Sequence, residues 1–520
     1  MEPSVGSWLL AAAPIVWLLA GILVLKWPTY KVAAVGAMVA AALALTYFGA
    51  DLRLLLFASS KGLSLALFVL LIIWAAVFLY NLADQAGAIA VIGKAISKAS
   101  QDEVTQALLL AWCFTALLQG LAGYGVPVVV VAPIMIAMGF QPMVAVVACL
   151  VGHSWSISFG SMGSSYLTIQ LVTGIPGDII GPQMALLCIL PIFLTGFSVA
   201  HIQGGFSSLR KSIPLVLISG TMMSAGLYGM NLLGMAQLAG LGAALCGCIS
   251  TVVYAKVVER GRLQAPEPAA EANLRMGLLV AGLPYFALIG ISVVLYLPPI
   301  KSALSRFYLG FNYPSLTTRA GYVVEAVEGY SKILLFSHPA PILLVSAFLG
   351  YLVYVRLSGV APGILRAAAR QTVKTTVPTT IGITTMVIMA LIMSDSGMTR
   401  LLAIGFALVF SGFYPIISPF IGVLGTFLTG SNTVSNITFG KLQYEIAAAV
   451  GNSPVTMAGL QSVGGSLGVS VSPSAIMMGA TSTGLGGQEG GIMSRTLRYC
   501  LPVVFALGVM VWAITLVGGG

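Results

Sequence analysis

Charged residues are scarce in this chain: Asp, Glu, Lys and Arg make up 7% of its 520 residues, against about 25% in a soluble domain. That shortage excludes a globular surface solvated by water. Cysteine is sparse as well. Cys113, Cys149, Cys188, Cys246, Cys248 and Cys500 lie in or beside apolar runs, and their spacings match neither a disulfide framework nor a zinc site. They read as small packing residues, and no metal or cofactor is expected. Soluble-enzyme motifs are missing with one exception. Gly464, Ser466 and Gly468 fit G-x-S-x-G, but a nucleophile elbow needs a strand-to-helix turn in an α/β fold, and this stretch is Gly/Ser-rich membrane sequence. No enzymatic activity is expected, an intramembrane hydrolase using Ser466 and His153 being the remote alternative.

What the chain has is apolar length. Hydrophobic residues make up 58% of it, and runs of about 20, the number that crosses a hydrocarbon core of roughly 30 Å, recur throughout. Examples are 8–25, 32–50, 63–80, 183–200, 235–255, 277–297, 376–393 and 499–517. With the interrupted stretches between them, the pattern predicts an all-α polytopic membrane protein of about twelve crossings or partial crossings. The net charge is +10, yet the basic residues form no patch interleaved with aromatics, so nucleic acid is not the expected partner. They flank apolar runs instead: Lys26 and Lys31, Lys94 and Lys98, Arg210 and Lys211, Lys256 to Arg275, and Arg356 to Lys374. This is the positive-inside distribution of cytoplasmic loops in a lipid bilayer. The first run has no Lys or Arg before it and Lys26 after it, the reverse of a signal peptide. Residues 1–27 are therefore expected to be a retained span with its N-terminus outside.

An internal repeat appears at an offset of 312. Gly139, Pro142, Val151, Gly152, Ser154 and Ser158 fall on Gly451, Pro454, Val463, Gly464, Ser466 and Ser470 without a gap. These are largely the residues that punctuate helices, and duplication explains them. Two halves, 28–256 and 275–518, are expected around a polar linker at 257–275 containing Pro266 and Pro268, as in transporters built from structural repeats. Residues 300–340 carry Lys301, Arg306, Arg319, Glu325, Glu328 and Lys332 and are too polar to span. They are expected to lie on the surface or outside the membrane.

In both halves the helical pattern is broken at membrane depth, at 119–127 and 152–166, and again at 429–436 and 464–474. Backbone freed from a helix there must be buried in protein or face a wet cavity. Two matched pairs of breaks point to one central site. A helix that starts at that depth aims free N–H groups and a partial positive charge at its ligand, which suits a carboxylate. Gly123 and Gly125 permit close backbone approach. Gln119, Tyr124, Ser154, Ser158, Ser161, Ser431, Asn432, Thr433, Asn436, Ser466, Ser470 and Ser472 offer hydroxyls and amides without a fixed charge. The alternative is that small residues here serve helix packing alone. Ionisable groups in the membrane are costly and few: His153, Asp395 and Glu445 are the coupling candidates. His153 lies inside a break and titrates near neutrality; His201 and His338, near run ends, are expected at the surface.

The stretches GLAGYGVP at 120–127, GFQP at 139–142, FGSMG at 159–163, LPPIKSAL at 297–304, SDSG at 394–397, LGTFLTGSNTVSN at 424–436 and SPSAI at 472–476 resemble the L-lactate permease family. The resemblance covers nearly the whole chain. It implies uptake of L-lactate, D-lactate, glycolate and similar 2-hydroxymonocarboxylates with protons across a prokaryotic cytoplasmic membrane. The family is in turn similar to a wider superfamily with paired re-entrant hairpins, which implies an elevator-like carrier and a homodimer. This chain departs from the family pattern at two places, having Gln119 where an acidic residue is common and Asn432 where an aspartate is. Those departures leave three readings open: coupling through another group, coupling to sodium, or facilitated transport of a small carboxylate. An ion channel is the further alternative.

Overall fold

Lipid offers no partner to backbone N–H and C=O groups, so a chain this apolar satisfies them within helices. A computed structural model describes residues 4–25, 27–97, 99–121, 126–258, 276–296 and 298–517. The predicted site residues Gly123, Tyr124 and Gly125, and most of the polar linker, lie outside the described residues. Before the linker come α1 (Val5–Leu23), α2 (Thr29–Thr46), α3 (Leu52–Gln85), α4 (Ala88–Ser97) and α5 (Glu103–Ala107). A π-helical stretch, Leu108–Phe114, leads into α6 (Thr115–Leu121), followed by α7 (Val126–Ala137), α8 (Pro142–Gly152), α9 (Gly160–Thr173), α10 (Gly177–Leu232) and α11 (Ala239–Val258). The second half begins with α12 (Leu278–Tyr296) and α13 (Pro298–Leu304). Four short strands follow: β1 (Tyr308–Tyr313), β2 (Leu316–Thr317), β3 (Val323–Val324) and β4 (Val327–Leu334). Then come α14 (Pro339–Ser358), α15 (Ile364–Asp395), α16 (Met398–Phe410), α17 (Tyr414–Thr429), α18 (Asn432–Val450), α19 (Pro454–Gly468), α20 (Pro473–Ser482) and α21 (Glu489–Val517).

Among the described residues nine helices are long and apolar enough to cross a membrane, or ten with one bent pair. The hydropathy pattern predicts about twelve crossings; among the described residues the apolar helices of 10–17 residues that fall short of a full crossing include the unbroken α1 and α2 as well as pieces of the broken segments. The longest helix, α10, has 56 residues and bends at Gly204 (φ −154°, ψ 29°) and Gly205 (φ 66°, ψ −154°). Only glycine holds the second conformation without a steric cost, so α10 is two crossings joined at a glycine corner.

α3 and α15 run antiparallel, fixed at three levels. Lys61 Nζ meets Asp395 Oδ2 at 3.0 Å, Trp74 Nε1 donates to Thr380 Oγ1 at 2.9 Å, and Asn81 Nδ2 donates to Thr372 Oγ1 at 2.9 Å. α2 and α14 pack beside this pair, with α1 and α12 outside them. The second body gathers α17, α18, α19 and α21 against α8, α9, α10 and α11. Each body draws on both halves of the chain.

Residues 300–340 contain the strands. β1 pairs antiparallel with β4, Tyr308 opposite Leu334 and Tyr313 opposite Val327, and β2 pairs with β3. The sheet caps the Lys61 end of α3: Tyr313 Oη lies 3.0 Å from Ser60 Oγ, and Arg319 N donates to the Gly49 carbonyl at 2.7 Å. His338 corrects an expectation. It is 2% exposed rather than on the surface, because its Nδ1 accepts from Ala340 N at 3.3 Å to cap the buried start of α14.

The segments related by the 312-residue offset have matching local structure. Gly139 (φ 100°) and Gly451 (φ 73°) each precede a helix that opens with proline, α8 at Pro142 and α19 at Pro454. A 3₁₀ stretch follows each helix, Ser154–Phe159 in one and Val469–Val471 in the other.

Candidate functional site

Two chain breaks meet in the middle of the second body. α17 ends at Gly430, whose left-handed φ of 74° stops the helix. Ser431 then starts α18, its Oγ accepting from Val434 N at 3.5 Å. Opposite, α9 opens with three left-handed residues, Ser161 (φ 47°), Met162 (φ 54°) and Gly163 (φ 71°). For the two non-glycine residues this costs roughly 1–2 kcal/mol each, and the packing of fully buried Met162 holds the turn in place. Just before it, a Cβ on Gly160 would stand 2.7 Å from Gln119 Nε2, so the glycine makes room for the end of α6.

These breaks bring five predicted residues, Gln119, Ser161, Ser431, Asn432 and Thr433, around one cavity of about 40 Å³. Such a volume holds one or two water molecules, each taking about 30 Å³ in the liquid. None of its lining residues is charged. The start of α18 borders it, so the positive end of that helix faces the space.

Behind the cavity lies a hydrogen-bond network of fixed direction. Asn436 Nδ2 donates to the Ser165 carbonyl at 3.0 Å and to Ser462 Oγ at 2.9 Å. Ser462 Oγ donates on to Ser158 Oγ at 3.3 Å, while Ser158 Oγ donates to the Ser462 carbonyl at 2.9 Å. Ser158 Oγ therefore accepts from Asn432 Nδ2, at 3.5 Å. Ser158 N donates to Ser466 Oγ at 3.1 Å, and Ser466 Oγ donates to the Ser154 carbonyl. Thr433 Oγ1 lies 3.0 Å from Ser165 Oγ and 3.4 Å from Ser164 Oγ.

Other predicted residues close local turns. Ser154, Ser470 and Ser472 bond the carbonyls of Val151, Leu467 and Val469, and Ser472 also caps α20. The three coupling candidates lie away from the cavity. His153 is 1% exposed and its Nδ1–H donates to the Cys149 carbonyl at 2.5 Å. Asp395 is paired with Lys61, and Glu445 with Lys441 at 3.1 Å, one helical turn away. Residues missing from the predicted set also take part, Ile157, Gly430, Val469 and Ala475 in the lining among them. Ser164, Ser165 and Met478 line the cavity, and Ser462 joins the network. Ser164 and Ser165 lie inside the predicted break at 152–166, whereas nothing in the sequence separates Ser462 or Met478 from packing residues.

Two larger spaces flank the cavity. One, of about 670 Å³, is lined by Asn81, Asp84, Gln371 and Thr375, and shares Gly430, Ser431 and Met478 with it. The other, of about 680 Å³, is lined by Tyr166, Asn231, Gln237 and Lys332 and shares none of the cavity's lining residues. The left-handed turn stands between them: Ser161 lines the cavity, and a Cβ on Gly163 would lie 2.9 Å from Gln237 Cα.

Membrane-length helices, helices broken at depth and a neutral polar cavity between two vestibules define a polytopic membrane carrier. The family model for L-lactate permease matches residues 7–518, and the chain belongs to that family. It is 27% identical to the L-lactate permease of Salmonella typhimurium over 98% of this chain and 96% of that protein. Its identity to the L-lactate permease of Bacillus subtilis is 27% over 83% and 82%, and to the glycolate permease GlcA of Escherichia coli 25% over 97% and 95%. The solved structure of the Alcanivorax borkumensis YdaH transporter aligns over 86% of this chain and 85% of its own, at 13% identity and a TM-score of 0.46. The sequence relatives are permeases rather than enzymes, and this chain is a multi-pass protein of the cytoplasmic membrane.

Proposed function

We propose that this protein is a secondary active transporter of 2-hydroxymonocarboxylates, L-lactate, D-lactate and glycolate among them. One observation carries the reading: the N-terminus of α18, with Ser431, Asn432 and Thr433, faces a neutral cavity that adjoins a vestibule. The cavity of about 40 Å³ takes the carboxylate alone, at the helix N–H groups, and the rest of the substrate, its 2-hydroxyl included, lies toward the adjoining vestibule among hydroxyl and amide groups. The adjoining vestibule lies at the end of α15 that carries Arg366, Arg370 and Lys374, the cytoplasmic end under the positive-inside rule. Substrate reaches the other vestibule when the body holding the breaks shifts against the α3–α15 body in an elevator-like movement, within a homodimer. The two halves, 28–256 and 275–518, arose by duplication. Counterflow of labelled L-lactate in proteoliposomes tests the reading; absence of exchange with lactate, glycolate and other short carboxylates overturns it.

Proton symport is the coupling this reading starts from. A second reading, sodium symport, is favoured by the placement of His153, Asp395 and Glu445 away from the cavity. Uptake measured with sodium removed, and separately with the proton gradient collapsed, decides between them.

A further inference from the structure

The cavity and the adjoining vestibule share three lining residues, Gly430, Ser431 and Met478, which form the mouth between them. Gly430 has no side chain, and Ser431 Oγ is taken up in capping α18. Met478 therefore supplies the apolar surface of the mouth. It is half-buried and stands on α20, which is seated against the break itself: a Cβ on Gly430 would lie 2.2 Å from Ser474 Oγ, one turn before Met478 on the same helix face. α20 also packs on α8 and α21, so Met478 belongs to the body that carries the breaks. Methionine is unbranched, turns about three side-chain bonds and has a polarizable sulfur, so it fits itself to apolar groups of different size. Beyond it, Val129 and Val434 give the vestibule further apolar surface.

A cavity of about 40 Å³ closes around a carboxylate, and a space of about 670 Å³ opens directly behind it. With the carboxylate at the start of α18, the substituent on the second carbon, hydrogen in glycolate and methyl in lactate, emerges at the mouth. We propose that Met478 sets the selectivity for that substituent, and that the carrier also takes 2-hydroxymonocarboxylates with longer apolar chains, 2-hydroxybutyrate among them. The chain runs past Met478 into open space instead of meeting the wall of a closed pocket. The carboxylate is the same in every member of this series, so only the substituent distinguishes one member from another at the mouth. This deepens the transport proposal, naming the substrate range of the same site, and rests on it.

The test titrates the purified full-length protein in detergent with glycolate, L-lactate and L-2-hydroxybutyrate by calorimetry. A closed apolar pocket separates ligands that differ by one methylene by roughly 10- to 200-fold; here the parent should bind 2-hydroxybutyrate within about tenfold of lactate. Met478→Gln keeps the length of the side chain but removes its apolar end, so the ratio of 2-hydroxybutyrate to glycolate affinity should fall at least about fivefold, part of what a methylene in full apolar contact is worth. Met478→Leu, apolar and close in volume, should keep the parent ratio. Both ligands are measured on one protein, so a general loosening of the fold leaves the ratio unmoved. Met478→Phe narrows the mouth without adding a polar group; it should move the ratio the same way and takes the place of Met478→Gln should that variant not fold. A smaller fall in the ratio, or rejection of 2-hydroxybutyrate by the parent by more than about tenfold, overturns the assignment. Glycolate and lactate binding that persists in that case leaves the carrier reading standing, whereas a parent that binds none of the three overturns both.

Discussion

Ser466 Oγ donates a hydrogen bond to the carbonyl of Ser154, and these two serines occupy the same position in the two segments related by the 312-residue offset. A residue that touches its own counterpart lies beside the axis relating the copies. Under the proposed duplication, the axis relating the copies runs through the serine network behind the cavity. Inter-repeat bonds there are direct, through Ser158, Ser466 and Asn432, so a change in one break is felt in the other.

The tip of α18 gives the first prediction. Ser431→Ala and Asn432→Ala should each raise the apparent substrate constant, because a hydrogen bond lost at a desolvated site costs about 1–3 kcal/mol, roughly 5- to 150-fold in affinity. Calorimetric titration with L-lactate measures it. Parent-like binding in both variants would remove the α18 tip from the substrate pocket.

The left-handed turn gives the second. Ser161→Gly relieves the φ of 47° but deletes a hydroxyl from the cavity, so Tm should hold or rise while substrate affinity falls. Ser161→Val should lower Tm and stop transport, since a β-branched residue in this conformation is a genuine outlier. A stable, active Ser161→Val protein would mean that the turn is not held as described.

The Lys61–Asp395 pair gives the third, away from the cavity. Its side chains are 6% and 13% exposed, and breaking a buried pair by removing one partner costs about 3–5 kcal/mol. Lys61→Met and Asp395→Leu should each lower Tm strongly, whereas the double variant should recover much of the loss. Affinity for L-lactate should stay within about twofold in any variant that folds; a larger change would tie this pair to the site.

His153 gives the fourth. It borders none of the described cavities and is bonded to the Cys149 carbonyl. His153→Gln should therefore lower Tm by the loss of a buried bond, about 1–3 kcal/mol, while uptake driven by a pH gradient stays at the parent level. Loss of accumulation with downhill exchange intact would return the proton-carrier role to this histidine.

Much of this was legible in the residues. Apolar length set the helices, and the breaks at 152–166 and 429–436 were visible because Gly, Ser and Asn crowd where lipid demands a continuous helix. Those breaks supplied Ser161, Ser431, Asn432 and Thr433, which the structure brings to one cavity. What was not legible is direction. A serine in such a break serves its own helix as readily as a ligand, so Ser154, Ser470 and Ser472 look the same in sequence as Ser161, and only the fold shows them closing turns. Ser462 was hidden for the converse reason: it sits in a regular helix, and its role comes from Asn436 across a helix interface. His338 failed as a surface residue because the end of an apolar run can be buried by a neighbouring strand and helix.

The neutrality of the cavity lining has an electrical consequence. Moving one elementary charge through the membrane potential is worth about 2.3 kcal/mol per 100 mV, and a carrier with charged groups at its site moves them one way with the cargo and back without it. Here no lining residue of the cavity is charged, so the charge that travels at the site is that of the cargo. One cation with one carboxylate produces no steady current, and each additional cation per turnover adds one charge. Charge displaced transiently on addition of substrate in proteoliposomes therefore reports the cargo, since the lining of the empty site carries no charge through the field.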